Sequence, residues 1–320
     1  MLARLRDDRD ALEVAVAAVA EAIGIPAGHV EKDFWLTEAL RGVTAAAERL
    51  GVPVYFKGGT SLSKVYGLIQ RFSEDVDLLA VLRADDSPGT RHGILKQLCA
   101  GAAEATGLEE TPVGDKSSKG ERRAITLAYP TAQSLQPLRH EGVLVEIGHW
   151  GGTYPHERHE LRSLIATHGP GLGIDGPFAE FEPFTVEILD PVRTALEKLM
   201  LLHAAILGDA ERRLSVARHY YDVWCLLADR RIAEALSNPL EVATMARDVE
   251  TFTRAAGLPS RGRPAEGFAA SEAFDADEPA NEVTRAAYDT VVLGSLLWAG
   301  SPRPTFKECC HAVRDFPSRL

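Results

Sequence analysis

The chain has 320 residues, is 45% hydrophobic and 25% charged, and carries a formal net charge of −11. This is a globular composition with room for two domains; no run of about 18 apolar residues offers a membrane span, and the acidic balance excludes a surface that coats nucleic acid along its whole extent. Local basic patches survive that exclusion, at Lys116, Lys119, Arg122 and Arg123 in "DKSSKGERR" and at Arg158 and Arg162.

The segment from Met1 to Asp10 is charged with both signs and lacks an apolar signal core. The four cysteines, Cys99, Cys225 and the adjacent Cys309 and Cys310, show neither Cys-x-x-Cys spacing nor a disulfide framework. Both features predict a cytoplasmic protein without a membrane partner. Leu12, Ala15, Val16, Val19 and Ile23 line one side of a helix over 8–23. A second helix follows Pro26, passes through "VEKDFWLTEAL" and ends near Leu50, before Gly51 and Pro53. "VPVYFK" reads as a short strand, 61–69 as a helix after Gly58 and Gly59, and "DVDLLAVL" as a strand over 75–82. A helix over 90–106 and strands near 123–129 and 143–149 complete an α/β or α+β unit built on one sheet.

From about residue 185 the pattern turns helical. Asp190 stands as N-cap and Pro191 as first helical residue of "DPVRTALEKLMLLHAAI". Further helices are expected over 212–229, 239–256, 280–298 and 305–314, with a Gly-, Pro-, Ala- and acid-rich loop at 258–281. The expected division is a sheet-containing domain, 1–185, followed by a helical domain, 186–320.

Between the two halves of "KGGTSLSKVYGLIQRFSEDVDLLAV" lies the chemistry. Side chains alternate across a strand, so Ser73, Asp75 and Asp77 share one parity and Glu74 and Val76 the other. Two carboxylates on one face repel, and a divalent cation relieves the repulsion; Mg²⁺ prefers such hard oxygen ligands. In "GVLVEIGHW", Val143, Val145 and Ile147 form one face and Glu146 stands on the other, an unusual place for an acid and the expected third ligand. Gly58 and Gly59 let the backbone approach a ligand closely. Thr60 or Ser61 can cap the helix that follows, whose free N–H groups then face an anion, most plausibly a phosphate. A phosphate cradle beside a metal site is the equipment of phosphoryl or nucleotidyl transfer. An Asp-x-Asp is often only a solvated turn and a Gly-Gly only a tight one; their order, with Glu146 on a later strand, makes the joint reading.

Gly-Gly-Thr-Ser, a short helix, Asp-x-Asp and a later carboxylate resemble the nucleotidyltransferase superfamily that includes DNA polymerase β. The fuller string "FKGGTSLSKVYGLIQRFSEDVDL", with "EKDFWLTEAL" upstream and "LEKLMLLHAA" and "RHYYDVWCLL" downstream, is similar to the AbiEii/AbiGii-type toxins, which include the MenT toxins of mycobacteria. The resemblance spans roughly Glu31 to Leu227. The gap between Gly59 and Asp75 is longer than in the superfamily at large but ordinary within the toxin family. The resemblance implies a superfamily-type mixed sheet flanked by helices with a C-terminal helical bundle. It also implies an enzyme that transfers nucleotides from an NTP, with Mg²⁺ or Mn²⁺, in a toxin–antitoxin or phage-defence pair. For MenT-like members the acceptor is the 3′ end of tRNA, and a cognate antitoxin is the expected partner. Residue by residue, it assigns catalytic roles to Ser73, Asp75, Asp77, Lys198 and Asp222, and makes Ser73 a site of antitoxin-directed phosphorylation. Metal ligation falls to Asp75, Asp77 and Glu146, and nucleotide or phosphate binding to Lys57, Gly58, Gly59, Thr60, Ser61, Lys64 and Arg218.

The residues themselves agree with the downstream part. Lys198 lies at the border of the stripe Val192, Ala195, Leu196, Leu199, Leu202 and Ile206, where its ammonium can leave the core for a cleft or simply snorkel. Helix 214–228 is apolar except for Ser215, Arg218, His219 and Asp222, a stripe that must face partners or a cavity. An Arg218–Asp222 pair could also satisfy itself. Lys57, Lys64 and Arg71, or the 116–123 patch, would line the approach to the site.

"GLGIDG" matches a dinucleotide fingerprint but follows His168-Gly169-Pro170 rather than a strand. His149, His156 and His159 have no standard zinc spacing, and "GGTYPHERHE" reads as a loop. Phe34, Trp35, Tyr220 and Trp224 read as core. Two other functions stay open: nucleotide transfer to a protein or small molecule, which the acidic charge favours, and a non-catalytic nucleotide-binding module, which intact Asp75, Asp77 and Glu146 count against.

Overall fold

A computed structural model describes residues 2–73, 75–113, 121–130, 142–257 and 260–316. Glu74, Lys116 and Lys119 lie outside the described residues. The chain opens with helices α1 (Arg9–Ile23) and α2 (Ala27–Leu50), each ended by a left-handed glycine, Gly24 at φ 70° and Gly51 at φ 63°. Asp8 starts α1 by accepting from the Ala11 N–H at 3.0 Å. Then come β1 (Val54–Lys57), α3 (Gly58–Lys64), β2 (Asp75–Ala80), α4 (Pro88–Thr106), β3 (Glu110–Val113), β4 (Arg122–Leu127), β5 (Val143–Gly148), β6 (His156–Leu161), α5 (Leu164–His168) and β7 (Phe184–Leu189). The remainder is helical: α6 (Pro191–Ala205), α7 (Ala210–Val216), α8 (Arg218–Ala228), α9 (Arg230–Leu236), α10 (Pro239–Ala255), α11 (Glu282–Ala287), a π-helical stretch Tyr288–Leu296, and α12 (Phe306–Arg314).

Among the described residues one seven-stranded sheet runs in the order β3-β4-β5-β2-β1-β7-β6. β1 pairs β2, and β4 pairs both β3 and β5, antiparallel; β1 with β7 and β2 with β5 are parallel. The mixed sheet, its flanking helices and the helical C-terminal region are the fold class expected. Three strands were not expected. β3 contains Pro112, and β6, within the stretch taken for a loop, is His-Glu-Arg-His-Glu-Leu; they form the two edges of the sheet, where apolar alternation is not required. β7 ends one residue before the Asp190 cap, so its apolar residues merge with those of α6. The helix expected over 212–229 is two, α7 and α8, and that over 280–298 passes from α to π.

The chain divides into two compact units. The first comprises residues 1–60, 73–149 and 157–188, and the second 61–72, 150–156 and 189–320. In the first, α2 and α4 cross at two glycines: a Cβ on Gly42 would stand 2.2 Å from the Gly101 carbonyl oxygen, and one on Gly101 2.6 Å from the Ala46 Cβ. In the second, Tyr220, Phe268, Phe274, Tyr288 and Phe306 form a buried aromatic cluster. Each such side chain contributes roughly 2–3 kcal/mol on burial. Among the described residues no single helix is long and apolar enough to cross a membrane.

Candidate functional site

Strand register assembles one group of candidate site residues. On β2, Val76, Leu78 and Ala80 are buried on one face, while Asp75 and Asp77 share the other. Asp77 is the register partner of Glu146 on parallel β5 and of Lys57 on antiparallel β1. Residues paired across a sheet project to the same face, so Lys57, Asp77 and Glu146 form one row, with strands about 4.8 Å apart. Asp75 lies two residues along and is 9% exposed. Next in the row on β4 is Ala124, and Arg122 pairs with Gly148, which puts Arg122 on the carboxylate face. Arg123 takes the opposite parity and forms an ion pair with Glu110 at 3.2 Å. The basic patch expected at 122–123 is thus split between two faces.

The glycine pair is built differently from expectation. α3 begins at Gly58, directly after β1, so both glycines and Thr60 belong to its first turn. Thr60 therefore does not cap the helix; its hydroxyl donates to the Asp75 carbonyl at 2.6 Å and ties the start of α3 to the start of β2. Gly58 has φ 80°, and a Cβ there would lie 2.3 Å from Asp77 Oδ2. The close approach that glycine permits is to a carboxylate of the chain itself.

Three carboxylates on one face, two of them in register, are the hard-oxygen donor set that suits a divalent cation. Among the described residues no three such side chains are closed around a common point. The fit is one of face and donor chemistry.

Another group of candidate residues lies within the helical unit. Asp222 on α8 is fully buried. Arg71 donates to both its oxygens, Nε to Oδ1 at 2.6 Å and Nη2 to Oδ2 at 2.7 Å, and Lys198 on α6 reaches Oδ2 at 2.9 Å. The Lys198 ammonium also lies 3.0 Å from His219 Nδ1, which is 3.3 Å from Asp222 Oδ2. The shorter contact fits an Nδ1 lone pair that accepts from Lys198. Burial chiefly, with Lys198 beside it, pushes the imidazole down to about 3, so His219 is neutral at physiological pH. Burial alone would raise the Asp222 carboxyl, but Arg71 and Lys198 hold it well below the usual range. Burial lowers the Lys198 ammonium, against the opposing pull of Asp222.

Lys198 and Asp222 are therefore brought together, and of the expected polar stripe His219 and Asp222 face Lys198 and Arg71, whereas Ser215 lies exposed on α7. Two expectations are corrected. Lys198 is 5% exposed rather than free in a cleft, and Arg71 is 2% exposed rather than lining an approach. Arg71 was missed as a site residue. Its signal was present: an apolar helix that buries Asp222 needs a cation from elsewhere, and "IQRFSED" carries one two residues before Ser73.

Residues 39–299 match the family model described as nucleotidyl transferase AbiEii toxin, type IV toxin–antitoxin system. No curated protein matches the chain.

Proposed function

The chain belongs to the nucleotidyl transferase AbiEii toxin family of type IV toxin–antitoxin systems, and from that premise we propose that it transfers nucleotides from an NTP to the 3′ end of tRNA in the cytoplasm, in a reaction dependent on Mg²⁺ or Mn²⁺. The observation that carries this reading is the row Lys57–Asp77–Glu146 with Asp75 on the same face. Asp75, Asp77 and Glu146 would hold the divalent ion, which when bound neutralises charge on the reacting phosphate and on the attacking hydroxyl. Lys57, beside Asp77, would offer a cation to the phosphates, as would Lys64 and Arg218, while Gly58 and Gly59, by letting α3 start against Asp77, would turn the first-turn N–H groups of Thr60 and Ser61 toward them. Lys198, oriented by Asp222, would bind the triphosphate. Arg122, on the carboxylate face, would contact the acceptor backbone, and Ser73 would be the point of antitoxin control, because a phosphate there adds negative charge beside the carboxylates.

The experiment is incubation of the protein with each labelled NTP, Mg²⁺ and total tRNA, followed by separation of RNA from protein. Label on tRNA that disappears in folded Asp75→Ala and Asp77→Ala protein is the expected result. Near-normal transfer by folded Asp75→Ala would remove the proposed site. The net charge of −11 favours a second reading, transfer to a protein or small molecule. Label on the protein fraction alone would select it.

A further inference from the structure

Arg71 and Lys198 compete for one carboxylate. The two contacts from Arg71 occupy both Asp222 oxygens, whereas Lys198 reaches only Oδ2. A two-pronged guanidinium–carboxylate pair is stronger than a single ammonium contact. The charges acting most on Lys198 are Asp222, Arg71 and Arg218, one anion and two cations. Asp222 has no exposed side-chain surface, while Lys198 keeps 7% and His219 14%. The outward edge of the cluster is therefore an ammonium and a neutral imidazole, with the carboxylate behind them.

We propose that Arg71 is a positioning residue for nucleotide binding: by engaging both oxygens of Asp222 it keeps that carboxylate from neutralising Lys198, whose charge is then available to a ligand phosphate. The proposal rests on the reading that Lys198 binds the triphosphate. Arg71 Nη1 donates to the Phe72 carbonyl at 2.8 Å, but the segment has further anchors. The Phe72 N–H donates to the Leu296 carbonyl at 2.8 Å, the Trp298 N–H to the Gln70 carbonyl at 3.1 Å, and the Ser301 hydroxyl to that same carbonyl at 2.9 Å. These contacts involve no Arg71 side-chain atom.

The test is titration calorimetry of each of the four NTPs into wild-type, Lys198→Ala, Arg71→Gln, Arg71→Lys and Arg71→Gln/Asp222→Asn proteins, with thermal unfolding of each. Arg71→Gln leaves Asp222 to Lys198 alone and should weaken binding about tenfold or more. The double variant removes one charge of each sign and, although it also loses the carboxylate that orients Lys198, should bind about threefold or more tighter than Arg71→Gln. A purely structural role would not give that recovery. If Arg71→Gln does not fold, Arg71→Lys decides, because it keeps the charge but cannot hold both Asp222 oxygens: a loss of about threefold or more in folded protein supports the proposal, and binding like wild type overturns it. Folded Arg71→Gln that binds like wild type while Lys198→Ala does not, or equal losses in the single and double variants, overturns the role of Arg71 alone. Lys198→Ala binding like wild type removes the underlying reading instead.

Discussion

A methyl group on Gly58 would stand 2.3 Å from Asp77 Oδ2, on a backbone with φ 80° that side chains rarely adopt. Gly58→Ala thus carries two costs, local strain of about 1–2 kcal/mol and displacement of a carboxylate the site requires. The expected outcome is a lower urea midpoint together with nucleotide transfer reduced by more than the loss of folded protein explains. Glu38 supplies a second test at this scale. It is 3% exposed and lies 3.1 and 3.2 Å from Arg41 Nε, yet burial outweighs that pairing and pushes its carboxyl up to about 7. A carboxyl raised in the folded state favours folding when protonated. Its contribution is therefore fully present below the unfolded value near 4.5, falls as pH rises toward about 7, and is constant above that. The change is on the order of 3 kcal/mol. Glu38→Gln should abolish that slope in denaturant-unfolding free energies measured between pH 5 and 8; an unchanged slope would place the titration elsewhere.

The helix crossing at Gly42 and Gly101 sets the spacing of α2 and α4, both of which pack on β5. Gly101→Ala must push Ala46 and the Gly42 carbonyl aside, and is expected to cost about 1–3 kcal/mol and to lower the melting temperature by several degrees. The same substitution at Gly93, where a Cβ meets nothing within 4 Å, is the control. Legibility varied element by element. α1, α2 and α4 were readable because each carries a helical apolar stripe and ends at a glycine. β2 and β5 were readable because their carboxylates interrupt apolar runs with strand parity. Edge strands β3 and β6 carry no such contrast, since one side of each has no strand to match. Parity gave the shared face of Asp75 and Asp77, but only register could pair Asp77 with Glu146 and Lys57. The partnership of Arg71 with Asp222 spans 151 positions, and no local period encodes it.

At the scale of the whole molecule, neither unit is a continuous stretch. The helical unit takes 61–72 and 150–156 from within the sheet-bearing part of the chain. Arg193 shows how firmly: only 1% exposed, it donates to the Tyr154 carbonyl and to Asp248, both at 2.7 Å, and a Cβ on Gly152 would collide with it. As a toxin-family protein, the full chain should arrest growth when expressed without an antitoxin in a bacterial host. The arrest should vanish with Asp75→Ala and with the phosphomimetic Ser73→Glu. Unimpaired growth with folded wild-type protein and no label on tRNA in vitro would remove the tRNA-directed reading.

The interleaved segments also set a clock for synthesis. Arg71 leaves the ribosome 151 residues ahead of Asp222, a wait of about 8–30 s at roughly 5–20 residues per second. During that interval the guanidinium lacks Asp222, and Lys198 has not been made for most of it. A nascent or prematurely terminated chain that stops short of residue 222 therefore carries Arg71, and past residue 198 also Lys198, without the carboxylate that engages both in the folded protein. The buried cluster that joins Arg71, Lys198 and Asp222 therefore closes only late in translation.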